Sequence, residues 1–457
     1  MHSQKSLILS HKKPTELPLH TSSDIVHNGL MKKEGKFKKF LKSVGPGLIT
    51  GAADDDPSGI ATYSQTGAQF GFGQLWTAIY MLPFLISVQE ACARIGAVTG
   101  HGLSYAVKKH YSKKILMFMV FLVLISNTIN IGANIGAMAA SLQLITPFSF
   151  TPLALIITGT ILFLEIFTSY KSYAKMLKWL TLTLFAYPLT MLIIQVPWAT
   201  VLPATFIPHI EFNFAFFFII TGVLGTTISP FMFFWQASEE VEEEREAGMI
   251  KHGIPRLTTR FIKNLKADTI FGMLFSEFGT WAIIIVAATV LNANGVTDIK
   301  TAADAARALE PLVQTFPNAG YLAKLLFSTG IIGLGLLGIP VMAGSAAYAI
   351  SEAFGMRSGL NLKLKQAHGF YGAITLATVV GLFINYIGID PMKALVYAAV
   401  FNGFVAVPLI FLIGKISSDK KIMGKYKSGL LSRTFIWLTF FGMGASALAT
   451  VYMLLVG

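Results

Sequence analysis

The run Gly51-Ala52-Ala53-Asp54-Asp55-Asp56-Pro57-Ser58-Gly59 lies in the middle of an apolar segment that covers residues 46–70. A carboxylate at the centre of a bilayer costs about 2.5–3.5 kcal/mol on insertion scales, so three adjacent carboxylates cost roughly 7–10 kcal/mol together. Pro57 removes an amide donor, and Gly59 weakens a helix further. We therefore predict a helix that unwinds at this run and leaves backbone carbonyls beside the carboxylates.

The composition of the whole chain is that of a membrane protein. Of its 457 residues, 54% are hydrophobic and 13% are charged, whereas soluble proteins carry about 25% charged residues. This excludes a water-soluble enzyme, a disordered chain and a secreted disulfide scaffold. The single cysteine, Cys92, also excludes a CxxC site and an intramolecular disulfide. The sequence thus predicts an all-α integral membrane protein.

Apolar runs of about 20 residues are long enough to cross a hydrocarbon core of about 30 Å. We count about eleven such spans, which are numbered here in chain order. They cover residues 46–70, 73–99, 115–141, 151–168, 179–197, 214–237, 269–292, 320–350, 369–388, 391–414 and 434–456.

The basic residues indicate how these spans are oriented, because Lys and Arg are enriched in cytoplasmic loops. The first 45 residues contain nine lysines, and segments 238–268 and 415–433 contain six basic residues each, whereas 142–150 and 198–213 contain none. We therefore expect a multi-pass protein of the bacterial inner (plasma) membrane, with a cytoplasmic and partly disordered N-terminal tail. The net charge of +13 then faces anionic lipid headgroups rather than nucleic acid.

A second interruption lies in span 6, where Gly225, Ser229 and Pro230 stand inside an apolar run. Corresponding breaks in two halves of a membrane protein point to an inverted-repeat transporter with its site near the midplane. The predicted parts of the chain are the tail (1–45), repeat 1 (46–197, helices 1–5), repeat 2 (214–414, helices 6–10) and an additional helix 11 (434–456).

The three aspartates and the freed carbonyls favour a cation over an anion as the ligand of such a site. Successive helical positions differ by about 100°, so the three side chains cannot all face one site unless the helix unwinds. The alternative for Asp54 and Asp55 is that they cap backbone amides or face a water vestibule.

Several of these residues also resemble a known family. The runs Gly45-Pro46-Gly47-Leu48-Ile49, Asp56-Pro57-Ser58-Gly59 and Gly67-Ala68-Gln69-Phe70-Gly71-Phe72 are similar to the first helix of the Nramp family of divalent metal transporters. A later stretch, 302–312, resembles the same family. The resemblance implies the inverted-repeat (5+5) fold of amino-acid/polyamine/organocation transporters, with helices 1 and 6 broken. It also implies a divalent metal ion as the transported substrate, with no cofactor.

The chain departs from the family's motifs at the metal-binding positions. The family's first-helix motif, DPGN, binds metal through its Asp and Asn, and the Asn position here is Gly59. The sixth-helix motif, A-x-x-M-P-H, provides a Met thioether, and here the Met position is Ser229 and the His position is Phe231. A hydroxyl in place of a thioether favours hard ions, and a small side chain leaves room for a hydrated ion. We expect Mg²⁺ or Mn²⁺ ahead of Fe²⁺; the alternative is a degenerate site whose substrate is not a metal.

The predicted metal site follows from the residues around the two breaks. Pro57 and Pro230 mark the breaks, and Asp56 is the expected principal ligand. Retained water and further protein groups complete the predicted coordination. These groups are Asp54 or Asp55, Ser229, and the backbone carbonyls near Ala53 and Thr226; Gly59 belongs to the predicted site as the position of the family's Asn ligand.

Proton coupling is not expected to use span 3. Family members that co-transport protons carry acidic residues there, and the nearest positions here are Asn130 and Asn134, which cannot titrate. Two alternatives stay open: the Asp54–Asp56 cluster exchanges protons, or transport is passive and follows the membrane potential.

Three further polar residues lie inside predicted spans or at their ends. Glu277 in span 7 is either a separate relay group or a structural residue with hydrogen bonds to its neighbours. Glu239, which follows the second half of span 6, and Asn402 in span 10 are candidates for a gate or relay.

The sequence thus predicts a secondary transporter that moves a divalent cation by alternating access. Two alternatives are a transporter of the same fold for an organic cation or amino acid, and a non-transporting membrane ion sensor. The sequence contains no Walker loop, HExxH motif or nucleophile elbow, so we do not expect an enzyme. The oligomeric state stays open.

Overall fold

The computed structural model describes residues 50–51, 53–168, 184–251 and 254–456. The predicted tail at 1–45 lies outside the described residues, as do residues 169–178 between spans 4 and 5 and the first residues of spans 1 and 5.

The described regular structure is helical except for two short antiparallel strands, β1 (Ile250–Lys251) and β2 (Ile254–Pro255). The described α-helices are α1 (Pro57–Phe70), α2 (Trp76–Thr99), α3 (Leu103–His110), α4 (Lys113–Gln143), α5 (Phe150–Phe167), α6 (Ala186–Ile193), α7 (Trp198–Phe206), α8 (Phe214–Thr227), α9 (Pro230–Glu246), α10 (Thr259–Val290), α11 (Ala302–Ala306), α12 (Glu310–Val313), α13 (Ala319–Phe354), α14 (His368–Ile384), α15 (Pro391–Ser418), α16 (Lys420–Met423) and α17 (Leu430–Val456). Short 3-10 helices cover Asn292–Asn294, Arg307–Leu309, Leu364–Gln366 and Gly424–Tyr426.

The long apolar helices correspond to the predicted spans. Within the described residues, eight helical segments are long and apolar enough to cross a membrane, with α8 and α9 taken together as Phe214–Glu246. The ninth predicted span corresponds to the shorter apolar helix α14. Spans 1 and 5 correspond to α1 and α6. The first halves of these two predicted spans are only partly within the described residues. Helix α9 extends to Glu246 and α10 begins at Thr259, so both continue beyond the predicted span ends at 237 and 269.

The first predicted break lies immediately before α1. Residues 53 and 54 are still helical, whereas Asp56 is extended (φ −63°, ψ 174°) and forms the N-cap of α1. Pro57 occupies the first helical turn, where its missing N–H costs no hydrogen bond. The sequence therefore restarts the helix here with a favoured pair, an aspartate cap followed by proline.

The second predicted break separates α8 from α9 at Ile228 and Ser229. Ile228 leaves helical geometry (φ −110°, ψ 63°), and Ser229 is extended (φ −80°, ψ 139°) as the N-cap of α9. Pro230 then begins the second half of the segment, as Pro57 begins α1. Both breaks thus have the same construction, a polar extended residue followed by proline.

Glycines bring the broken segments close to their neighbours. A Cβ atom on Gly225 of α8 would overlap backbone atoms of Ala399 and Gly403 in α15. A Cβ atom on Gly51, before the first break, would overlap the backbone of Gly272 in α10. The first segment therefore packs tightly on α10 and the sixth on α15.

Helices α4 and α13 form a further packed pair beside the first break. Ser328 Oγ of α13 donates a hydrogen bond to the carbonyl oxygen of Ser141 in α4 (2.7 Å). Met138 of α4 lies against Gly335 of α13, where a Cβ atom would overlap its side chain. Both helices also contact Asp56, α4 through Asn134 and α13 at Gly338.

Candidate functional site

Asp56 accepts more hydrogen bonds than either neighbouring aspartate, and its side chain is 1% exposed. Its Oδ1 accepts hydrogen bonds from the Gly59 amide (3.1 Å) and from Ser58 Oγ (2.5 Å), and its Oδ2 accepts one from Asn134 Nδ2 (2.9 Å). All these donors are neutral. The ion pairs that the described residues form involve other carboxylates. Among the described residues, the Asp56 carboxylate therefore has neutral hydrogen-bond donors around it and no cationic side chain as a partner.

Asn134 lies on the same face of α4 as Asn127 and Asn130, because residues spaced by three and four share a helix face. Besides Asp56, its amide nitrogen contacts the carbonyl oxygen of Asn130 (2.9 Å). Its Oδ1 is buried and meets no hydrogen-bond donor among the described residues. An amide oxygen with free lone pairs beside a buried carboxylate is suited to holding a cation, whereas an amide cannot relay protons by titration.

Met342 of α13 is a neighbour of this group that the sequence analysis did not identify. Its Sδ lies 3.7 Å from Asn134 Nδ2, and the residue is fully buried. Gly338, one turn earlier, faces the side chains of both Met342 and Asp56. The available signal was weak: α13 carries Pro340 and glycines at 333, 335 and 338, which indicate close helix packing but do not single out this methionine.

Hydroxyl groups connect the two breaks directly. Ser58 Oγ, which donates to Asp56, also contacts Thr226 Oγ1 at 3.0 Å. A second hydroxyl pair links the same two helical segments: Tyr63 OH of α1 lies 2.8 Å from Thr227 Oγ1 of α8. The Asp56 carboxylate is therefore linked through Ser58 to the end of α8.

The predicted ligands Ser229, Thr226, Gly59 and Ala53 all lie near the breaks, with different contacts. Ser229 Oγ points to its own segment, towards the carbonyl oxygens of Gly225 (2.7 Å) and Thr226 (2.6 Å). The Thr226 carbonyl is therefore already an acceptor, and Gly59 contributes its amide to the Asp56 cap. Ala53 is buried in the turn before the break. No hydrogen bond found among the described residues joins Ser229 to Asp56.

Asp54 and Asp55 face α10 instead of α4. Asp54 Oδ2 accepts a hydrogen bond from Ser276 Oγ (2.6 Å), and Asp55 Oδ2 lies against Gly279, 3.2 Å from the position of a Cβ atom there. Both aspartates are 0% exposed. Within the described chain, neither oxygen of Asp55 and neither oxygen of Glu277 meets a donor in hydrogen-bond geometry. Glu277 lies close enough to repel the charges of both aspartates.

The three consecutive carboxylates therefore divide between two regions. The Asp56 site comprises Asp56, Ser58, Thr226, Asn134 and Met342. The acidic cluster comprises Asp54, Asp55 and Glu277. The prediction that Asp54 or Asp55 joins Asp56 in one coordination shell is not supported by these contacts, because the break turns their side chains towards a different helix.

Asn130 and Asn402 form a polar pair between α4 and α15. Asn402 Oδ1 accepts a hydrogen bond from Asn130 Nδ2 (2.7 Å) and a short one from Ser126 Oγ. The pair is one helical turn from Asn134 and has no described hydrogen bond to Asp56. Asn130 and Asn402 thus connect two helices beside the site.

Glu239 lies on α9 beyond the second break, in a group of carboxylates that is largely buried. Its Oε1 has no donor among the described residues. Nearby Glu242 accepts a short hydrogen bond from Tyr348 OH, and further ones from the Leu360 amide (2.9 Å) and Asn361 Nδ2 (3.0 Å). Glu242 therefore ties α9 to the end of α13 and the loop after it, whereas Glu239 stays a candidate gate residue.

The sequence profile of the family described as natural resistance-associated macrophage protein-like, Nramp, matches residues 47–453. This range contains both breaks and every residue of the Asp56 site. The chain belongs to the Nramp family. The resemblance seen in the sequence motifs is thereby confirmed.

Curated relatives of this Nramp chain are transporters rather than enzymes. A divalent metal cation transporter MntH of Caldanaerobacter subterraneus subsp. tengcongensis is 27% identical over 406 residues, which cover 87% of this chain and 90% of the relative. A divalent metal cation transporter MntH of Klebsiella pneumoniae subsp. pneumoniae is 26% identical over 409 residues, with 88% and 91% covered.

Solved structures share the fold of this Nramp chain. The Eremococcus coleocola manganese transporter, in complex with an aromatic bis-isothiourea substituted compound, has a TM-score of 0.70 at 15% identity, with 93% of this chain and 88% of that one covered. Mhp1, a nucleobase-cation-symport-1 family transporter, has a TM-score of 0.59 at 14% identity, with 90% of each chain covered. The predicted all-α transporter fold with broken helices 1 and 6 is confirmed, and the chain is an integral, multi-pass membrane protein.

Proposed function

We propose that this Nramp chain is a secondary transporter that carries a divalent metal cation bound at Asp56. The observation that carries the proposal is a carboxylate buried between two broken helices, surrounded by neutral donors and by the unengaged Oδ1 of Asn134. A buried charge without a partner is costly, and a bound cation removes that cost. The curated relatives are divalent metal cation transporters, an activity of the same kind.

The donors around Asp56 favour a hard ion. The carboxylate, the Asn134 amide oxygen and the hydroxyls of Ser58 and Thr226 are oxygen groups, the ligands that Mg²⁺ and Mn²⁺ prefer. Mg²⁺ retains several waters when it binds to one or two carboxylates, which matches a site with one carboxylate. We therefore propose Mg²⁺ or Mn²⁺ ahead of Fe²⁺, and the manganese transporter of the same fold makes Mn²⁺ the first ion to test.

The membrane potential is the proposed driving force, without a proton relay through α4. Asn130 and Asn134 occupy the middle of that helix, and neither amide titrates. An elementary positive charge that moves to the negative side of the membrane gains about 2.3 kcal/mol per 100 mV, so a divalent cation gains about 4.6 kcal/mol at 100 mV. Downhill entry therefore needs no coupled proton.

The bounds of the two repeats, the orientation of the chain and the membrane in which it lies are part of the same proposal. Two breaks of the same construction, one before α1 and one between α8 and α9, support repeats at 46–197 and 214–414. The concentration of basic residues in alternate connections supports a cytoplasmic N-terminus and a bacterial inner-membrane location. In alternating access, the two broken segments would rock about the ion at Asp56.

The test is uptake by liposomes that contain the purified full-length chain. Initial rates are measured for Mg²⁺, Mn²⁺, Fe²⁺, Ca²⁺ and Zn²⁺ under an imposed inside-negative potential, with a pH-sensitive dye inside. We expect saturable Mn²⁺ or Mg²⁺ uptake without acidification, and its loss in Asp56→Ala. Asp298→Asn is the control, because this aspartate is exposed.

Uptake by Asp56→Ala at the wild-type rate would contradict the site assignment. A wild-type chain that moves no divalent ion but binds an organic cation or amino acid in calorimetry would favour a transporter of that class. A chain that moves nothing and loses an ion-dependent output when residues 1–40 are deleted would favour a sensor.

A further inference from the structure

We infer that Met342 is a specificity-determining ligand, whose thioether gives the Asp56 site a soft donor and favours borderline and soft divalent ions over Mg²⁺. This inference rests on the proposed function, because it concerns the ion that Asp56 binds. It modifies the preference expected from the oxygen donors alone. The residue comes from α13, outside both broken helices.

The geometry places the thioether beside the carboxylate. Met342 Sδ lies 3.7 Å from Asn134 Nδ2, and the same nitrogen lies 2.9 Å from Asp56 Oδ2. A Cβ atom at Gly338 would lie 3.6 Å from Met342 Cε and 3.8 Å from Asp56 Oδ2. The same Cβ atom would lie only 3.0 Å from Asp56 Cβ, so the absence of a side chain at Gly338 lets Asp56 approach α13 beside Met342.

The backbone around Met342 is held in place from α4. Asn127 Nδ2 donates a hydrogen bond to the carbonyl oxygen of Met342 (2.9 Å) and contacts Ser345 Oγ (3.3 Å). Asn127 and Asn134 are two helical turns apart on the same face of α4. One face of α4 therefore positions the methionine through Asn127 and contacts both the sulfur and the carboxylate through Asn134.

The chemistry of the three side chains is mixed. Asp56 and Asn134 Oδ1 are hard oxygen donors, which bind Mg²⁺ and Mn²⁺ alike, whereas a thioether sulfur adds affinity for softer ions and adds little for Mg²⁺. The flexible methionine side chain, with three rotatable bonds, can reach an ion without a change in the helix backbone. Ions softer than Mg²⁺ therefore gain selectively from Met342.

Met342→Leu is the variant that tests this role, because leucine has a similar volume and usually replaces methionine at small cost. The measurement is inhibition of Mn²⁺ uptake by Cd²⁺, a soft ion, and by Mg²⁺, in liposomes that contain the full-length chain. We expect the Cd²⁺ inhibition constant to rise about tenfold, equal to about 1.4 kcal/mol, with the Mg²⁺ constant unchanged within twofold. A merely structural role would change both constants together.

Met138→Leu is the matched control, because Met138 packs in the same interface of α4 and α13 but lies against Gly335. We expect this variant to leave the ratio of the Cd²⁺ and Mg²⁺ constants unchanged. An unchanged ratio in Met342→Leu, with Asp56→Ala still inactive, would overturn the inference and leave the proposed function in place. A wild-type chain without divalent uptake would overturn both.

X-ray absorption on the wild-type protein tests the same ligand without any substitution. With Cd²⁺ bound to the full-length chain, we expect a sulfur scatterer bonded to the metal, replaced by selenium when the protein is produced with selenomethionine. Oxygen and nitrogen scatterers alone would overturn the inference, even if Met342→Leu failed to fold.

Discussion

The Asp56 site and the acidic cluster arise from adjacent residues, yet their surroundings are opposite. Asp56 accepts hydrogen bonds on both oxygens from Ser58, Gly59 and Asn134. Asp55, its neighbour in the chain, meets no donor in hydrogen-bond geometry among the described residues, and Glu277 repels it. The break in the first segment separates the two, because Asp56 itself is extended and its side chain faces α4, whereas the two preceding aspartates face α10.

This difference teaches that a run of carboxylates is not by itself a binding site. A cation needs electron-pair donors that converge on it, and in the described contacts only Asp56 of the three aspartates lies beside such groups. They are the Asn134 amide of α4, Thr226 of α8 through Ser58, and the thioether of Met342 of α13. The acidic cluster has charge, but the described hydroxyls near it, Ser276 and Thr280, come from α10 alone. We expect substitutions in the two regions to act differently.

The largest difference is expected between Asp56→Asn and Asp55→Asn. Loss of the principal charged ligand lowers the initial Mn²⁺ uptake rate by about 100-fold or more, equal to about 2.7 kcal/mol or more. Asp55→Asn keeps the rate within about fivefold, because its side chain faces α10. Liposome uptake at matched protein density measures both. Equal losses in the two variants would show that the carboxylates act as one site.

A smaller effect is expected from Asn134→Ala. The variant removes the amide that contacts Asp56 Oδ2, and loss of a group that orients a metal ligand typically costs 10–100-fold in affinity. We expect the apparent KM for Mn²⁺ to rise about tenfold. Asn130→Ala is the matched control, one turn away and bonded to Asn402, and should leave KM within twofold. A larger rise in KM for Asn130→Ala than for Asn134→Ala would indicate that the ion binds nearer to α15.

Thr226→Val tests the hydroxyl link between the broken segments. It removes the partner of Ser58 Oγ (3.0 Å), and a buried hydrogen bond contributes about 1 kcal/mol. We therefore expect a rise of about fivefold in the apparent KM for Mn²⁺, measured by concentration-dependent uptake. Thr227→Val removes the corresponding contact with Tyr63 and should change KM less than twofold. The reverse order would place the ion nearer the acidic cluster.

The smallest effect is an increase in stability in Asp55→Asn. The substitution removes one buried charge from a cluster of three carboxylates without changing side-chain size, so the repulsion in the folded protein falls. We expect the Tm of the detergent-solubilised protein to rise by about 1 °C, as for a gain of about 1 kcal/mol in a chain of 457 residues. Asp298→Asn, at an exposed position, should leave Tm unchanged. A lower Tm in Asp55→Asn would show that this carboxylate has a stabilising partner.

Much of the fold could be predicted because the membrane imposes strict rules on sequence. Apolar length and loop charge indicate the spans, and proline with small polar residues marks both breaks. The positions of Asp56 and of the breaks were therefore predictable. The side-chain partners were not, because they come from helices far away in the sequence. Asn134 was identified only as a position that cannot relay protons, and Met342 was not identified.

The direction of the side chains at the breaks was also beyond the sequence. Ser229 was expected to face the ion, but an extended residue that precedes a proline can turn its hydroxyl back to the carbonyls of the preceding turn, as it does here. Similarly, helical periodicity shows that three consecutive aspartates diverge, but it does not show which one meets α4. Those outcomes depend on the packing of α4, α10 and α13.

The central claim is that the divalent cation binds at Asp56 and not in the acidic cluster. Anomalous X-ray diffraction from crystals of the full-length protein grown with Mn²⁺ tests it most directly. We predict one strong anomalous peak within bonding distance of Asp56 Oδ2, on the side of Asn134 and Met342. A peak between Asp55 and Glu277, with none at Asp56, would contradict the account.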